Sequence, residues 1–347
     1  MSRYDHGGDT YALESVLDFS ICLNPFGAPA PVLEAAARGA AACGRYPDPH
    51  CRALTRLTAQ RDGVAEETIL WGNGAADLIY RIAFGIKPCK ALILAPTFSE
   101  YRRALEGAGC QVTEYFLERE RNFQPDEGLL EAIQPGIEMV VLCDPNNPTG
   151  RLMEEGLLLR VLARCREVGA VLVVDQCFLE LTTADPRRLA GEVAGGRLIL
   201  LRALTKSYAL AGLRLGYCLC GDKSLREKIV AMGQPWPVSY PAQLAGECAL
   251  QDFPCWPLES ARKFAPLREE MARELKKLGL WVCPGESCYL LFQGPDWQGA
   301  RLLEQGFLLR DCANFSGLGP GWFRLGLRSQ EENRALLAAM SRCWKGE

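Results

Sequence analysis

The chain has 347 residues, 48% of them hydrophobic and 23% charged, which is globular composition with room for one large domain and a smaller one. Lys and Arg total 39 against 42 Asp and Glu, a formal charge of −3 that excludes a polybasic surface for nucleic acid or anionic membrane as the working principle. No apolar run approaches the roughly 20 residues that span a bilayer, and the polar start MSRYDHGGDT does not look like a secretory leader, so a cytoplasmic protein is expected.

Short apolar segments at 68–71, 91–95, 111–116, 139–143, 171–174, 197–201 and 213–220 alternate with helical patterns such as 75–84, 98–108 and 154–168. Near-continuous apolar strands separated by helices predict an α/β fold with a mainly parallel, seven-stranded sheet covered on both faces. After Gln234-Pro235-Trp236-Pro237 the pattern changes. A helical region over 242–278, interrupted at Asp252-Phe253-Pro254 and Pro257, leads to short strands near 281–283, 289–292, 307–310 and 322–327 and a last helix over 330–344. This predicts a second, smaller α+β domain. The expected division is an N-terminal arm with part of the small domain over 1–44, a large domain over 45–240 and the small domain over 241–347.

Sixteen cysteines admit three explanations. A disulfide framework belongs to short secreted chains. A metal centre needs clustered ligands, whereas the tightest pair is Cys218 and Cys220 at alternate strand positions and the only histidines are His6 and His50. The expectation is therefore no metal site, and reduced, mostly buried thiols acting as small hydrophobes.

In open α/β sheets ligands bind at the carboxyl ends of the strands. Just past the predicted strands stand Gly72-Asn73-Gly74-Ala75-Ala76-Asp77, then Pro96-Thr97-Phe98-Ser99-Glu100-Tyr101 and Asp144-Pro145-Asn146-Asn147-Pro148-Thr149-Gly150. Asp175 follows, and then Arg202-Ala203-Leu204-Thr205-Lys206-Ser207-Tyr208 with Gly212-Leu213-Arg214-Leu215-Gly216 close behind. Each has an ordinary structural explanation when taken alone: a plain turn, core packing, or a helix N-cap for Asp175. A glycine-rich helix start can also cradle a phosphate, and a buried carboxylate at a strand end costs several kcal/mol unless it meets a cation. Their joint order along one chain is specific.

That order resembles the fold-type I pyridoxal-phosphate (PLP) transferases, the aspartate aminotransferase superfamily, over nearly the whole chain. The resemblance implies PLP as cofactor, seated in the 45–240 domain, with Lys206 as the Schiff-base lysine and Asp175 as partner of the pyridine nitrogen. It also implies Asn147 as donor to the ring hydroxyl, Phe98 as the stacking ring with Tyr101 nearby, and Gly74, Ala75, Ala76, Thr205 and Arg214 around the cofactor phosphate. Tyr46, in Arg45-Tyr46-Pro47-Asp48, matches a tyrosine that reaches the phosphate of a neighbouring subunit, which implies a homodimer. The residue types suit these tasks: an amine forms the imine, a carboxylate keeps the ring nitrogen protonated and a guanidinium forks onto phosphate. Two positions depart from the superfamily pattern. Ala203 stands where Ser or Thr is usual, and Phe178 where many relatives carry Tyr.

PLP serves several reactions, and the ends of the chain discriminate among them. His6-Gly7-Gly8, Asp18-Phe19-Ser20 with Asn24-Pro25, Arg310-Asp311-Cys312-Ala313-Asn314 and Phe323-Arg324-Leu325-Gly326-Leu327-Arg328-Ser329 resemble the threonine-phosphate decarboxylases of cobalamin biosynthesis. The resemblance implies a carbon–carbon lyase acting on O-phospho-L-threonine, with His6, Gly7, Cys22, Asn147, Arg310 and Arg324 around the substrate. Cys22 stands where that family has a substrate-facing asparagine. Either this is drift, with water filling the gap, or the pocket also accepts O-phosphoserine. The alternatives are a histidinol-phosphate aminotransferase, whose family shares the middle of the chain but not usually its ends, and a non-catalytic PLP-sensing regulator.

Overall fold

In the computed structural model, which describes residues 6–13 and 15–345, the apolar segments of the sequence become strands. In chain order they are β1 (Leu17–Asp18), β2 (Ile69–Asn73), β3 (Lys90–Ala95), β4 (Gln111–Phe116), β5 (Met139–Cys143), β6 (Val171–Asp175), β7 (Leu198–Ala203), β8 (Leu215–Cys220), β9 (Trp281–Val282), β10 (Tyr289–Gln293), β11 (Phe307–Leu308), β12 (Arg310–Asp311) and β13 (Trp322–Gly326). Strands β2 to β8 form one seven-stranded sheet in the order β2-β8-β7-β6-β5-β3-β4. Every neighbouring pair in it is parallel except those of β8, which runs antiparallel to β2 and β7.

Burial explains the apolar runs. Every residue of β5, β6, β7 and β8 is buried, because helices cover both faces. Each Val, Leu or Ile so placed contributes roughly 1.5–3 kcal/mol relative to exposure. The edge strand β4 alternates exposed and half-covered positions instead. The sheet agrees with the predicted strands, but their ends shift toward the site. Strand β2 extends through Gly72 and Asn73, which pair with Gly216 and Leu215, so the following helix is Gly74–Ile86. Strand β8 begins only at Leu215, because 211–213 form a 3-10 turn and Arg214 takes a left-handed conformation with φ 55°.

Strands β12-β13-β10-β9 form a separate antiparallel sheet, and β1 pairs with β11 in parallel. The single strand predicted over 307–310 is therefore split between two sheets at Leu309. Of the predicted helix breaks, only the one at 253–255 exists: helices Tyr240–Asp252 and Trp256–Lys277 flank it. Pro257 lies in the first turn of the second helix, where its missing N–H has no partner to lose. Phe19, Phe264, Met271, Leu275, Phe292 and Phe323 pack in a core between that helix and the small sheet. All sixteen cysteines are free and most are buried. Among the described residues no helix is long and apolar enough to cross a membrane, and no group of three His, Cys, Asp or Glu could hold a metal ion.

Candidate active site

The carboxyl ends of β5, β6 and β7, with the start of the Gly74–Ile86 helix, converge on a cavity of about 230 Å³. Its walls include His6, Gly7, Cys22, Ala75, Ala76, Phe98, Tyr101, Asn147, Asp175, Thr205, Lys206, Arg214, Arg310 and Arg324. Of the sixteen residues singled out in the sequence, fourteen meet here. Gly74 sits directly behind Arg214. Tyr46 lies outside, 75% exposed and stacked on Trp236 with ring centroids 4.5 Å apart.

Asp175 ends β6 with 6% of its surface exposed. Its Oδ2 accepts a hydrogen bond from the Tyr101 hydroxyl at 2.7 Å, and its Oδ1 accepts one from the Cys177 backbone N–H at 2.9 Å. These two donors offset the loss of water around a buried carboxylate. Burial and the neighbouring Asp175 push the Tyr101 hydroxyl well above its ordinary pKa, so it stays a donor. Tyr101 therefore braces Asp175 through its hydroxyl and stands edge-on to Phe98, with ring centroids 5.6 Å apart, and both rings line the cavity.

Lys206 belongs to the short Leu204–Ser207 helix that follows β7. Burial, and then the Arg324 guanidinium, hold its ammonium below the ordinary lysine pKa, which favours a nucleophilic free amine. Its Nζ lies 5.5 Å from the centroid of Phe178. The adjacent asparagines after β5 divide their work. Asn146 ties the loop down, accepting from Thr97 Oγ1 at 2.8 Å and donating to the Pro96 carbonyl at 2.9 Å. Asn147 faces the cavity and accepts from Arg324 Nη1.

The phosphate end is shaped by missing side chains. Gly74 has φ +77°, and a Cβ built there would lie 2.6 Å from Arg214 Nη2. Any side chain at 74 would occupy the place of the guanidinium. The helix N-terminus beyond it presents free N–H groups beside Arg214 and Thr205, a donor set suited to a phosphate monoester. A buried lysine, a carboxylate at the far end and this cradle together fit PLP. Ala203 and Phe178 also line the cavity, so the two departures from the superfamily pattern fall inside the site.

Two nearly buried arginines also line the cavity. Arg310 is 4% exposed and donates to Asn314 Oδ1 at 2.8 Å. Arg324 is 7% exposed, donates through Nη2 to the Ser20 carbonyl at 2.8 Å, and has a buried Nε with no hydrogen-bond partner among the described residues. Cys22 is buried beside them, and burial pushes its thiol pKa up. The sequence reading missed Ile21, Ile79, Cys143, Cys177 and Phe315 in the walls. Cys143 was within reach of the strand-end rule, since it is the last residue of β5. Phe315 follows a motif already marked for Arg310. Ile79 carried no signal, because an inward helical face reads as core.

The Aminotransferase class I and II family model matches residues 14–340. The chain is 37% identical over 335 residues to the threonine-phosphate decarboxylase of Salmonella typhimurium, covering 94% of this chain and 91% of that protein. It is 33% identical over 336 residues to a histidinol-phosphate aminotransferase of Desulfitobacterium hafniense, covering 93% and 90%. The solved L-threonine-O-3-phosphate decarboxylase of Porphyromonas gingivalis has the same fold, with a TM-score of 0.85 and 26% identity over 94% of this chain and 99% of that one. With the family model spanning nearly the whole chain and the PLP-fitting cavity at the strand ends, this protein belongs to the class I and II aminotransferase family of PLP-dependent enzymes.

Proposed function

We propose that the chain is a PLP-dependent decarboxylase that converts O-phospho-L-threonine to 1-amino-2-propanol phosphate and carbon dioxide for the corrinoid side chain. One observation carries the proposal: the charge on the cavity walls. Arg214, Arg310, Arg324, Lys206 and His6 face a single carboxylate, Asp175. Arg214 serves the cofactor phosphate, and Lys206 holds the cofactor aldehyde. Arg310, Arg324 and His6 then remain for the substrate, whose phosphate carries about −1.5 to −2 charges at neutral pH.

When bound, PLP supplies the electron sink for the bond that breaks at the substrate α-carbon. Asp175 keeps the ring nitrogen protonated, and Tyr101 fixes the Asp175 carboxylate. Arg310 and Arg324 would grip the phosphate and leave the substrate carboxylate unclamped, free to adopt the orientation in which its bond to the α-carbon breaks. That geometry selects cleavage of the carboxylate bond over loss of the α-proton. Lys206 Nζ then delivers a proton to the α-carbon. The resemblance to both decarboxylases and histidinol-phosphate aminotransferases makes the second activity the competing one. We place the active form as a homodimer in which the exposed Tyr46 reaches the cofactor phosphate of the neighbouring subunit. The test is a substrate panel: O-phosphothreonine, O-phosphoserine, threonine, and histidinol phosphate with and without 2-oxoglutarate. Turnover of phosphothreonine without an oxo acid, and little of threonine, is expected. Turnover of histidinol phosphate that requires 2-oxoglutarate refutes the proposal.

A further inference from the structure

His6 stands on the cavity wall, and its Nε2 is engaged by Glu100 Oε1 at 2.8 Å. Glu100 is 7% exposed, in the first turn of the Ser99–Gly107 helix, and is not itself a wall residue. Its second oxygen accepts from the Tyr80 hydroxyl at 2.8 Å, and Arg103 approaches the first at 3.6 Å. A buried carboxylate close behind an anion site repels the anion unless its charge is committed elsewhere. Here it is committed to a histidine, which leaves the other ring nitrogen, Nδ1, for whatever occupies the cavity. The same division of labour holds metal-binding histidines, where a carboxylate on one nitrogen fixes the ring for the other.

The segment around His6 is tied down a second time. The Gly8 N–H donates to Ser20 Oγ at 2.8 Å, and that hydroxyl donates to Asp18 Oδ1 at 2.6 Å. Gly7 passes so close that a Cβ there would lie 2.5 Å from the Ser20 carbonyl oxygen. The imidazole also rests on Phe98, with ring centroids 5.5 Å apart.

We propose that Glu100 is a positioning residue for recognition of the substrate's phosphate, acting through His6 by fixing which nitrogen the ring presents to the cavity. This rests on the phosphorylated-substrate reading above. Glu100 does not touch the substrate. Its effect therefore exists only while His6 is present, which distinguishes it from a residue that merely holds the helix.

The experiment uses the PLP-loaded enzyme, so that the cofactor's own phosphate site is filled. Affinity for inorganic phosphate is read from the concentration dependence of thermal unfolding, alongside kcat and KM for phosphothreonine. The variants are His6→Ala, Glu100→Ala, Glu100→Gln and each Glu100 change combined with His6→Ala. His6→Ala is expected to weaken phosphate binding about tenfold or more, the size of one charge-assisted hydrogen bond. Glu100→Ala should raise KM and weaken phosphate by a similar factor with kcat nearly unchanged. Glu100→Gln, which keeps an acceptor for Nε2, should recover most of the loss. In the His6→Ala background neither Glu100 change should add anything. Should Glu100→Ala fail to fold, Glu100→Leu, closer in volume and without an acceptor for Nε2, takes its place in the cycle with and without His6. A Glu100 effect of the same size with and without His6 overturns the proposal, as does wild-type phosphate affinity in both Glu100 variants. If phosphothreonine is not decarboxylated but phosphate binding depends on His6 and Glu100 together, the substrate reading fails while the positioning role stands. If the loaded wild-type enzyme binds no phosphate, both fall.

Discussion

Replacing Gly74 by alanine tests the phosphate cradle, because its two consequences separate. At φ +77° the residue occupies left-handed space, where an L side chain costs about 1–2 kcal/mol. That cost is paid by the apo protein, whose melting temperature should fall by a few degrees. The new Cβ would sit 2.6 Å from Arg214 Nη2, well inside the about 3.5 Å of ordinary contact. The guanidinium must then retreat by about 1 Å, lengthening a charge-assisted bond to the cofactor phosphate worth about 1.5–3 kcal/mol. The expected result is a ten- to roughly 100-fold weaker PLP dissociation constant, measured by titrating apo protein and following cofactor absorbance. In an Arg214→Ala background the affinity loss should vanish while the drop in apo stability persists. An equal affinity loss from Gly74→Ala with and without Arg214 would refute the cradle.

Asp175→Asn keeps the shape but removes the charge, and turnover should fall by on the order of 10² or more; near-normal activity would break the electron-sink assignment. Burial raises the Asp144 carboxyl to about 6, with Arg188 opposing only in part. The folded protein therefore holds a proton that the unfolded chain has released, and this contribution to stability is full below about pH 4 and lost as pH rises toward about 6. Over that interval wild type should lose roughly 3 kcal/mol relative to Asp144→Asn in unfolding experiments, and a pH-independent difference would contradict it. Cys22→Asn should change the ratio of kcat/KM for phosphothreonine and phosphoserine by about tenfold or more; an unmoved ratio leaves Cys22 as drift.

Much of the site was legible because a parallel sheet delivers its ligand contacts at fixed places. Asp175 closes β6, Asn147 and Lys206 follow β5 and β7 within four residues, and all three line one cavity. Less was legible where the chain turns back on itself. Glu100 stands in a segment quoted for its aromatic rings, and its partner His6 lies 94 residues away. No local pattern marks that bond. Tyr101 is likewise 74 residues from Asp175, and helical spacing gives no sign that its hydroxyl, rather than its ring, matters. The helices Ala30–Ala41 and Arg52–Asp62 went unpredicted, although Val32, Ala35 and Gly39, the buried residues of the first, keep helical spacing in an Ala-rich run. The split of 307–310 between two sheets is set by which neighbour each residue meets, β1 or β13.

The central claim is that this cavity cleaves the carboxylate of a phosphorylated amino acid and needs no amino acceptor. Incubating the PLP-loaded enzyme with O-phosphothreonine labelled at C1, in the absence of any oxo acid, tests it directly. The account predicts one labelled carbon dioxide for each 1-amino-2-propanol phosphate formed, over many turnovers. Label retained in the amino acid, with amino-group transfer appearing only when 2-oxoglutarate is supplied, would contradict it.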